Sequence, residues 1–510
     1  MATAGTVGFR GRLWGAVEGA PDVARFTRVD AAVCTALAIA SALLRLSPMG
    51  PSSLWLDDAW AALVGKVSSL AEVWHLGSTA KGFSLVLSAW LHVFGLSSWS
   101  AQALPFLFGV AGPPLLYVVA RRFGLSRVSA LLAAGLLLVS PGHMTYSSRV
   151  KLYTADALLA LLLLDRGHRV LIRPFDGRRW IELSVVCVIS VFVSSGVAPV
   201  VAAAVGAGVL AAFLERRAVP RVAVVCIAGL GAFAAVWWVA VLRPTINPIL
   251  HDYWNYRYIF FNHGLSQGLT DSVSRVTALS FGFSSLPKVL TTVLLLGAAC
   301  VVLLRRPLVA VLLVTPTVLA YLLAVLQVAP LGDRTDIYLY PSLALLAAIA
   351  FQELPFTRPK FAVTGAAVLA VAVAATLPHP DPYQQEDIRP LVAQLRSQLQ
   401  PGDAVIVYPN AQFALAYYSA WSFQLLPTDP LTIRFTNAPG NVDVLDPTDL
   451  AGYVRQLRGD MRGHRRVWFI VSHPSSDVPA LKQDFARLGY APLETVERPG
   501  AELELLIVGQ

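Results

Sequence analysis

Charged residues are scarce in this chain. Only 14% of its 510 residues are charged, whereas a soluble protein of ordinary composition is about one quarter charged. Hydrophobic residues make up 56% of the sequence, and the mean hydropathy is +0.61. This composition excludes an ordinary soluble enzyme and indicates a protein of the lipid bilayer.

Cysteine is also rare, and several common motifs are missing. The four cysteines all fall inside apolar runs, without metal-ligand spacing or a disulfide framework, and are interpreted as small core residues. The sequence contains no Gly-rich phosphate loop, no zinc-type spacing and no internal repeat. The net charge of +9 would suggest nucleic acid as a partner of a soluble protein. Here the arginines lie between apolar runs, so membrane topology explains them better and no nucleic acid is expected.

Eleven apolar stretches reach or approach the length of a membrane span, about 20 residues for a helix. They lie near 29–46, 101–120, 127–142, 154–164, 181–195, 197–214, 222–242, 286–304, 307–327, 337–353 and 361–377. The arginines before the first stretch predict an uncleaved first span with a cytoplasmic N-terminus, residues 1–28.

The weaker apolar stretch 83–95 decides the topology. If it does not cross the membrane, the five loops 121–127, 165–179, 215–221, 305–306 and 357–360 face the cytoplasm, and they hold fifteen Lys and Arg residues. Counting 83–95 as a span would put all fifteen outside, against the positive-inside bias. Its thirteen residues are also too few to cross about 30 Å of hydrocarbon. We therefore expect an interfacial helix on the outer surface.

This topology assigns residues 29–378 to a transmembrane domain whose first outer loop is 47–100. Residues 379–510 follow as an extracytoplasmic domain. In that domain 386–400 has an amphipathic helix pattern, and three short apolar runs (AVIVYP, RVWFIVSH and LELLIV) indicate buried strands. A further helix pattern lies near 478–489, so the domain is predicted to be α/β.

The unusual charges of the chain fall on the predicted outer side. At that surface a group to be transferred must arrive activated on a lipid, typically as a polyprenyl-phosphate sugar. Transfer then needs a base for the acceptor hydroxyl, cations for the leaving phosphate and aromatic rings for the sugar. The candidate bases are Asp57 and Asp58, with Asp156 as a further acid. The candidate phosphate ligands are Lys81, Arg149, Lys151 and Arg334, and the candidate sugar or acceptor ligands are His251, Tyr253, Trp254, Tyr256 and Arg257.

Each candidate has a structural alternative. The Asp57-Asp58 pair could belong to a solvated loop, and Lys81 and Lys151 could be snorkelling anchors. The 251–258 run could be an interfacial aromatic belt. Asp156 could start a helix in solvent or pair with a nearby cation.

The sequence Leu54-Trp55-Leu56-Asp57-Asp58-Ala59 resembles the LWLDEA-type motif in the first outer loop of GT-C glycosyltransferases. It is most similar to the family 39-like branch of protein-O-mannosyltransferases and aminoarabinose transferases. Lys81-Gly82-Phe83 stands where that branch has a Lys- or His-Pro-Pro element before a surface-lying helix, and here both prolines are missing. Residues 103–122 and 140–147 resemble the next two spans.

The resemblance implies a polytopic α-helical GT-C fold, with Asp57 as the base and Asp156 as a second functional acid. Many relatives carry Gln-Glu-Ala-Arg where this chain has Ser148-Arg149-Val150-Lys151, so a cation replaces an acid. No cofactor is definite, and a divalent cation remains an open alternative.

The predicted activity is transfer of one sugar from a polyprenyl-phosphate donor to a glycan, lipid or protein acceptor. It would occur at the outer face of the plasma membrane, in contact with membrane lipids, with inversion of the anomeric centre. A flippase for a lipid-linked saccharide is one alternative, but it predicts broken helices at mid-membrane and paired repeats. A non-catalytic assembly partner that binds polysaccharide is another.

The topology can be tested by labelling single cysteines in intact cells, in a background without the four native cysteines. We expect Arg173→Cys, in the 165–179 linker, to be protected from a reagent that cannot cross the membrane. We expect Gln398→Cys, in the tail formed by residues 379–510, to react with it. A linker that labels from outside, or a tail that labels only after lysis, would contradict the predicted topology.

Overall fold

The apolar runs of the sequence form helices in the computed structural model. It describes residues 26–46, 49, 53–77, 80–215, 218–246, 248–284, 286–353, 386–428, 431–446, 459, 461 and 463–508. The predicted span 361–377 and the predicted boundary between residues 378 and 379 lie outside these ranges.

Before the C-terminal region the helices are α1 (Arg28–Leu46), α2 (Leu56–Gly65), α3 (Leu70–Leu76), α4 (Lys81–Phe94), α5 (Ser98–Arg122), α6 (Arg127–Leu138), α7 (Pro141–Thr145), α8 (Tyr153–Ile172), α9 (Gly177–Val193), α10 (Ala198–Leu214), α11 (Arg221–Trp237), α12 (Pro248–Tyr253), α13 (Leu265–Phe283), α14 (Lys288–Arg305), α15 (Pro307–Val325) and α16 (Tyr340–Glu353).

The C-terminal elements are α17 (Ile388–Gln398), β1 (Ala404–Val407), α18 (Gln412–Ser419), β2 (Phe423–Leu426), β3 (Thr432–Phe435), β4 (Asn441–Val444), β5 (Arg466–Ser472), α19 (Val478–Arg487), β6 (Tyr490–Arg498) and β7 (Ala501–Val508).

The chain divides into two compact units. The helical unit comprises Met1–Ser47, Thr79–Phe83 and Ala103–Leu377. The mixed unit comprises Pro48–Ser78, Ser84–Gln102 and Pro378–Gln510. Residues of the predicted first outer loop therefore belong mainly to the same unit as the C-terminal region.

Within the described ranges, six helices are long and apolar enough to cross a membrane. They are Arg28–Leu46, Ser98–Arg122, Ser195–Leu214, Arg221–Thr245, Lys288–Arg305 and Pro307–Val325. Helix α6 and Pro141–Ser148 would form a seventh, bent by 59° at the break before Pro141. Three more predicted stretches form the helices α8, α9 and α16, which are shorter or more charged. The total of eleven spans stays a prediction.

The outward surface of the spanning helices is apolar. Only 11% of the apolar window in Arg221–Thr245 and 17% of that in Lys288–Arg305 is buried inside the protein. Exposing apolar surfaces of this extent to water would cost free energy, whereas lipid chains can cover them. The protein is therefore a membrane protein. Helix α4 has 14 residues, about 21 Å at 1.5 Å per residue. The predicted helix is confirmed, and its position on the membrane surface stays a prediction.

Small residues let the helices of the helical unit approach closely. Gly167 of α8 faces Ala204 of α10, and a Cβ at Gly167 would lie 2.8 Å from the Ala204 Cβ. Gly208 of α10 faces Val170 and Trp180, which a Cβ at this position would meet at 2.6 and 2.9 Å.

The mixed unit confirms the predicted α/β domain. Its five-stranded sheet has the order β4-β1-β5-β7-β6, in which β1 is parallel to β4 and β5, and β7 is antiparallel to β5 and β6. The three predicted strands are β1, β5 and β7, and the two predicted helices are α17 and α19. The prediction missed the strands β2, β3, β4 and β6 because they carry polar residues on partly exposed positions.

Two glycines of α10 provide a matched test of this close packing. We expect Gly208→Ala to lower the melting temperature in detergent and the free energy of unfolding by about 1–3 kcal/mol. The added methyl group would overpack the contact with Val170 and Trp180. Gly206→Ala is the control, since its Cβ would meet no atom within 4 Å. Equal melting temperatures for the two variants would contradict the packing.

Candidate active site

The backbone of the 54–59 motif is held by residues of the C-terminal domain, all within the mixed unit. The Leu54 N–H donates to the Tyr418 hydroxyl at 2.7 Å, and the Leu56 N–H donates to Oε2 of Glu386 at 3.0 Å. The Trp55 indole lies 5.9 Å from the His473 ring, measured between ring centroids. The start of helix α2 is thus fixed by contacts more than 300 residues away in the chain.

The two motif carboxylates occupy different environments. Asp57 and Asp58 are consecutive residues of a helix, so their side chains point about 100° apart. Asp58 is fully buried, whereas Asp57 is partly exposed. Burial raises the pKa of the nearby Tyr418, with a smaller contribution from the Asp58 carboxylate. Asp57 is therefore the more accessible of the two carboxylates, and its role as a base stays a prediction.

In the helical unit, Asp156 is a buried carboxylate in the first turn of α8. Its side chain is 3% exposed and accepts a hydrogen bond from the Ser194 hydroxyl. Its Oδ1 has no hydrogen-bond partner, and no ion pair reaches it from the described residues. Since burying an unpaired carboxylate costs free energy, this position is unfavourable for stability alone.

A second buried acid of α8 is paired with cations, as buried acids usually are. Asp165 is equally buried, but it pairs with Arg122, Arg166 and Arg169 at 3.0, 2.8 and 3.2 Å. The structure therefore rejects the solvated-start and ion-pair alternatives for Asp156, which has no such partner among the described residues.

Lys81 lies beside the link between α9 and α10. A Cβ on its neighbour Gly82 would collide with the carbonyl oxygen of Phe192, so only glycine fits there. Ser194, the hydrogen-bond partner of Asp156, is two residues after Phe192 and directly follows α9. Lys81 is 5% exposed, and burial lowers the pKa of its ammonium group. The C-terminal end of α9 thus lies against Gly82, the neighbour of the buried Lys81, and the residue after α9 contacts the buried Asp156.

Arg149 and Lys151 lie in the turn that enters α8. Arg149 is 8% exposed, and Lys151 is partly exposed. The rings of Tyr146 and Tyr153 meet edge to face at 4.9 Å on either side of this turn. Two cations at a helix N-terminus form an environment that favours an anion.

The predicted phosphate ligand Arg334 contacts Trp254, one of the predicted sugar ligands. Its guanidinium carbon lies 5.2 Å from the centre of the Trp254 ring, which stacks with Tyr256 at 6.1 Å and 18°. The guanidinium carbon of Arg257 in turn lies 4.9 Å from the centre of the Tyr256 ring. We call these four residues the cation–aromatic row, since each guanidinium lies within cation–π distance of a ring.

The other two sugar candidates lie beside this row. Tyr253 contacts Trp254 edge to face at 5.2 Å and is 53% exposed. His251 contacts Tyr258 at 4.9 Å instead. Backbone hydrogen bonds from Ile259 to Ala324 and from Leu331 to Arg257 attach the loop to the end of α15.

Sequence reasoning missed several residues of these clusters. Arg275 of α13 donates to the Tyr258 carbonyl at 3.4 Å, and burial, together with the charge of Arg257, lowers its pKa. Glu386 and Ser194 also carry no motif in the sequence. Nothing local distinguishes them, because their partners are distant in the chain.

The described part of the chain offers no group of three His, Cys, Asp or Glu side chains suited to a metal ion. The predicted phosphate ligands in the helical unit are Lys and Arg side chains.

Several solved structures match almost the whole chain, among them two of one protein. ArnT from Cupriavidus metallidurans bound to undecaprenyl phosphate has a TM-score of 0.56 and 14% identity, over 94% of this chain and 97% of that chain. The same protein in the apo state has a TM-score of 0.54 and 13% identity over the same shares. The chain has the fold of the GT-C glycosyltransferases.

The GT-C fold confirms the fold class implied by the resemblance in the sequence. No family model matches the chain, and no curated protein matches it by sequence.

The unpaired acid of α8 yields a stability test. We expect Asp156→Asn to keep or raise the melting temperature, because asparagine keeps the size of the side chain and removes a buried acid that has no ionic partner among the described residues. Asp165→Asn on the same helix should lower the free energy of unfolding by about 1–3 kcal/mol. This is less than the loss expected when a fully buried ion pair is broken, because the arginines are partly exposed. Thermal unfolding in detergent measures both. A larger loss of stability for Asp156→Asn than for Asp165→Asn would assign Asp156 a structural role.

Proposed function

We propose that this protein is a membrane glycosyltransferase that moves one sugar from a polyprenyl-phosphate donor to an acceptor hydroxyl at the outer face of the plasma membrane. The observation that carries the proposal is the match over 94% of the chain to a GT-C structure bound to undecaprenyl phosphate. The acceptor would be a glycan, a lipid or a protein of the cell envelope.

The donor phosphate would be held by cations of the helical unit. Lys81 supports this role because its ammonium group is desolvated and its pKa is lowered by burial. A bound phosphate would favour the charged form of the amine and form charge-assisted hydrogen bonds with it. We assign the same role to Arg334, with Arg149 and Lys151 as further phosphate ligands at the start of α8.

The cation–aromatic row supports the proposal for the sugar. The rings of Trp254 and Tyr256 are held by stacking and by the two guanidinium groups, so little side-chain freedom remains to be lost on binding. Aromatic faces pack against the C–H groups of sugars, and the adjacent guanidinium groups can donate to hydroxyl oxygens.

In the proposed reaction, the acceptor hydroxyl donates its proton to the Asp57 carboxylate. The hydroxyl oxygen attacks the anomeric carbon from the side opposite to the phosphate, and the bond from that carbon to the phosphate oxygen breaks. The phosphate leaves with the electron pair and is stabilised by Lys81 and Arg334. Direct displacement inverts the anomeric centre, and Asp156 orients the reacting groups.

The test uses purified protein with polyprenyl-phosphate sugars, and it measures free polyprenyl phosphate together with the glycosylated acceptor. A flippase or a non-catalytic partner would release none. We expect Asp57→Asn to lower turnover by about 10²–10⁴-fold, the usual contribution of a general base, and to keep the wild-type melting temperature.

Asp484→Asn is the matched control, because it removes a carboxylate of the same unit that pairs with the exposed Arg487 one helical turn away. Turnover retained by Asp57→Asn would remove this carboxylate from the mechanism. Absence of polyprenyl phosphate release by the wild-type protein with every sugar donor tested would overturn the proposed function.

A further inference from the structure

Helix α2 lacks a capping side chain of its own. Trp55 occupies the N-cap position and supplies no side-chain hydrogen bond to the first turn. The Leu56 N–H, one of the N–H groups that an α-helix leaves unpaired at its start, instead donates to Oε2 of Glu386 at 3.0 Å. The helix that carries Asp57 is therefore capped by a carboxylate 330 residues later in the chain.

Glu386 is in turn held by the end of strand β5. Its carboxylate is 3% exposed, and its Oε1 lies 2.6 Å from Nδ1 of His473. The Ser472 hydroxyl donates to Oε2 at 3.4 Å. Both residues lie at the end of a strand in the middle of the sheet, which makes this anchor rigid.

His473 adopts a backbone conformation that is uncommon for residues other than glycine. Its φ is +52°, in the left-handed region. The conformation is held by hydrogen bonds from its own N–H to the Gly500 carbonyl and from the Asn410 amide to its carbonyl, each of 3.0 Å. A strained residue that persists because its surroundings hold it is typical of functional sites.

The two neighbours of the His473 ring decide whether its Nδ1 atom carries a proton. Nδ1 lies 2.6 Å from Glu386 Oε1 and 3.2 Å from the Trp55 indole nitrogen. One ring nitrogen cannot donate and accept at the same time. The contact with the Glu386 carboxylate is the shorter one, so Nδ1 carries the proton and donates a hydrogen bond to Glu386. The Trp55 indole packs against the imidazole ring that this hydrogen bond orients.

We propose that Glu386 and His473 are positioning residues that set the location of Asp57 by fixing the start of helix α2 to the sheet. The inference rests on the proposed function, in which Asp57 is the general base. The C-terminal domain would then be part of the catalytic machinery through this contact.

The experiment compares kcat and the donor KM of Glu386→Ala, Glu386→Gln and the wild type in the polyprenyl phosphate release assay. We expect Glu386→Ala to lower kcat by about tenfold or more, because a displacement of about 1 Å at a reacting group can cost 10²-fold. The donor KM should change little. Glu386→Gln should recover most of kcat, because its carbonyl oxygen can still accept from the Leu56 N–H.

Glu504→Gln is the control for damage to the domain, since Glu504 is another buried acid of the sheet and pairs with Lys482 at 3.0 Å. It should reduce stability without reducing kcat. His473→Asn keeps a donor group and tolerates a positive φ, so it should retain more kcat than His473→Ala. If Glu386→Ala cannot be purified folded, this second pair decides the question.

The outcomes separate the two proposals. A wild-type protein that releases no polyprenyl phosphate refutes the proposed function. An active wild type whose Glu386→Ala and His473→Ala variants keep kcat, or lose it no more than Glu504→Gln at equal loss of stability, refutes the positioning role alone.

Discussion

The arrangement of this protein depends on the cost of placing a charge in hydrocarbon. Helices with apolar outer surfaces carry most of the helical unit, so charged groups collect at helix ends and in the turns between them. Arg149 and Lys151 precede α8, and Arg334 precedes α16. The same cost makes the buried acid Asp156 informative, because it has only a serine hydroxyl as a partner among the described residues.

Two kinds of contact hold the candidate ligands in place. In the helical unit, the guanidinium groups of Arg334 and Arg257 lie within cation–π distance of the stacked rings of Trp254 and Tyr256. In the mixed unit, hydrogen bonds from backbone N–H groups to Glu386 and Tyr418 fix the motif.

Much of the fold could be predicted, because hydrophobic patterns reflect local burial. The helices of the apolar runs, including α4, and the strands β1, β5 and β7 follow from the hydrophobic pattern of the sequence. The strands β4 and β6 could not be predicted in this way, since their partly exposed residues lack a clear period. Arg334 contacts Trp254 of the 251–258 loop, whereas the sequence predicted only that both lie on the same side of the membrane.

The sequence by itself determined that the chain enters a bilayer, which runs form helices, and which rare charges lie outside them. These properties depend on composition and on neighbouring residues. Only the tertiary structure decided that Glu386 caps the Asp57 helix, that Ser194 contacts Asp156 and that Arg275 joins the arginines near Tyr258. Such pairings depend on distances between residues far apart in the chain, and no local pattern encodes them.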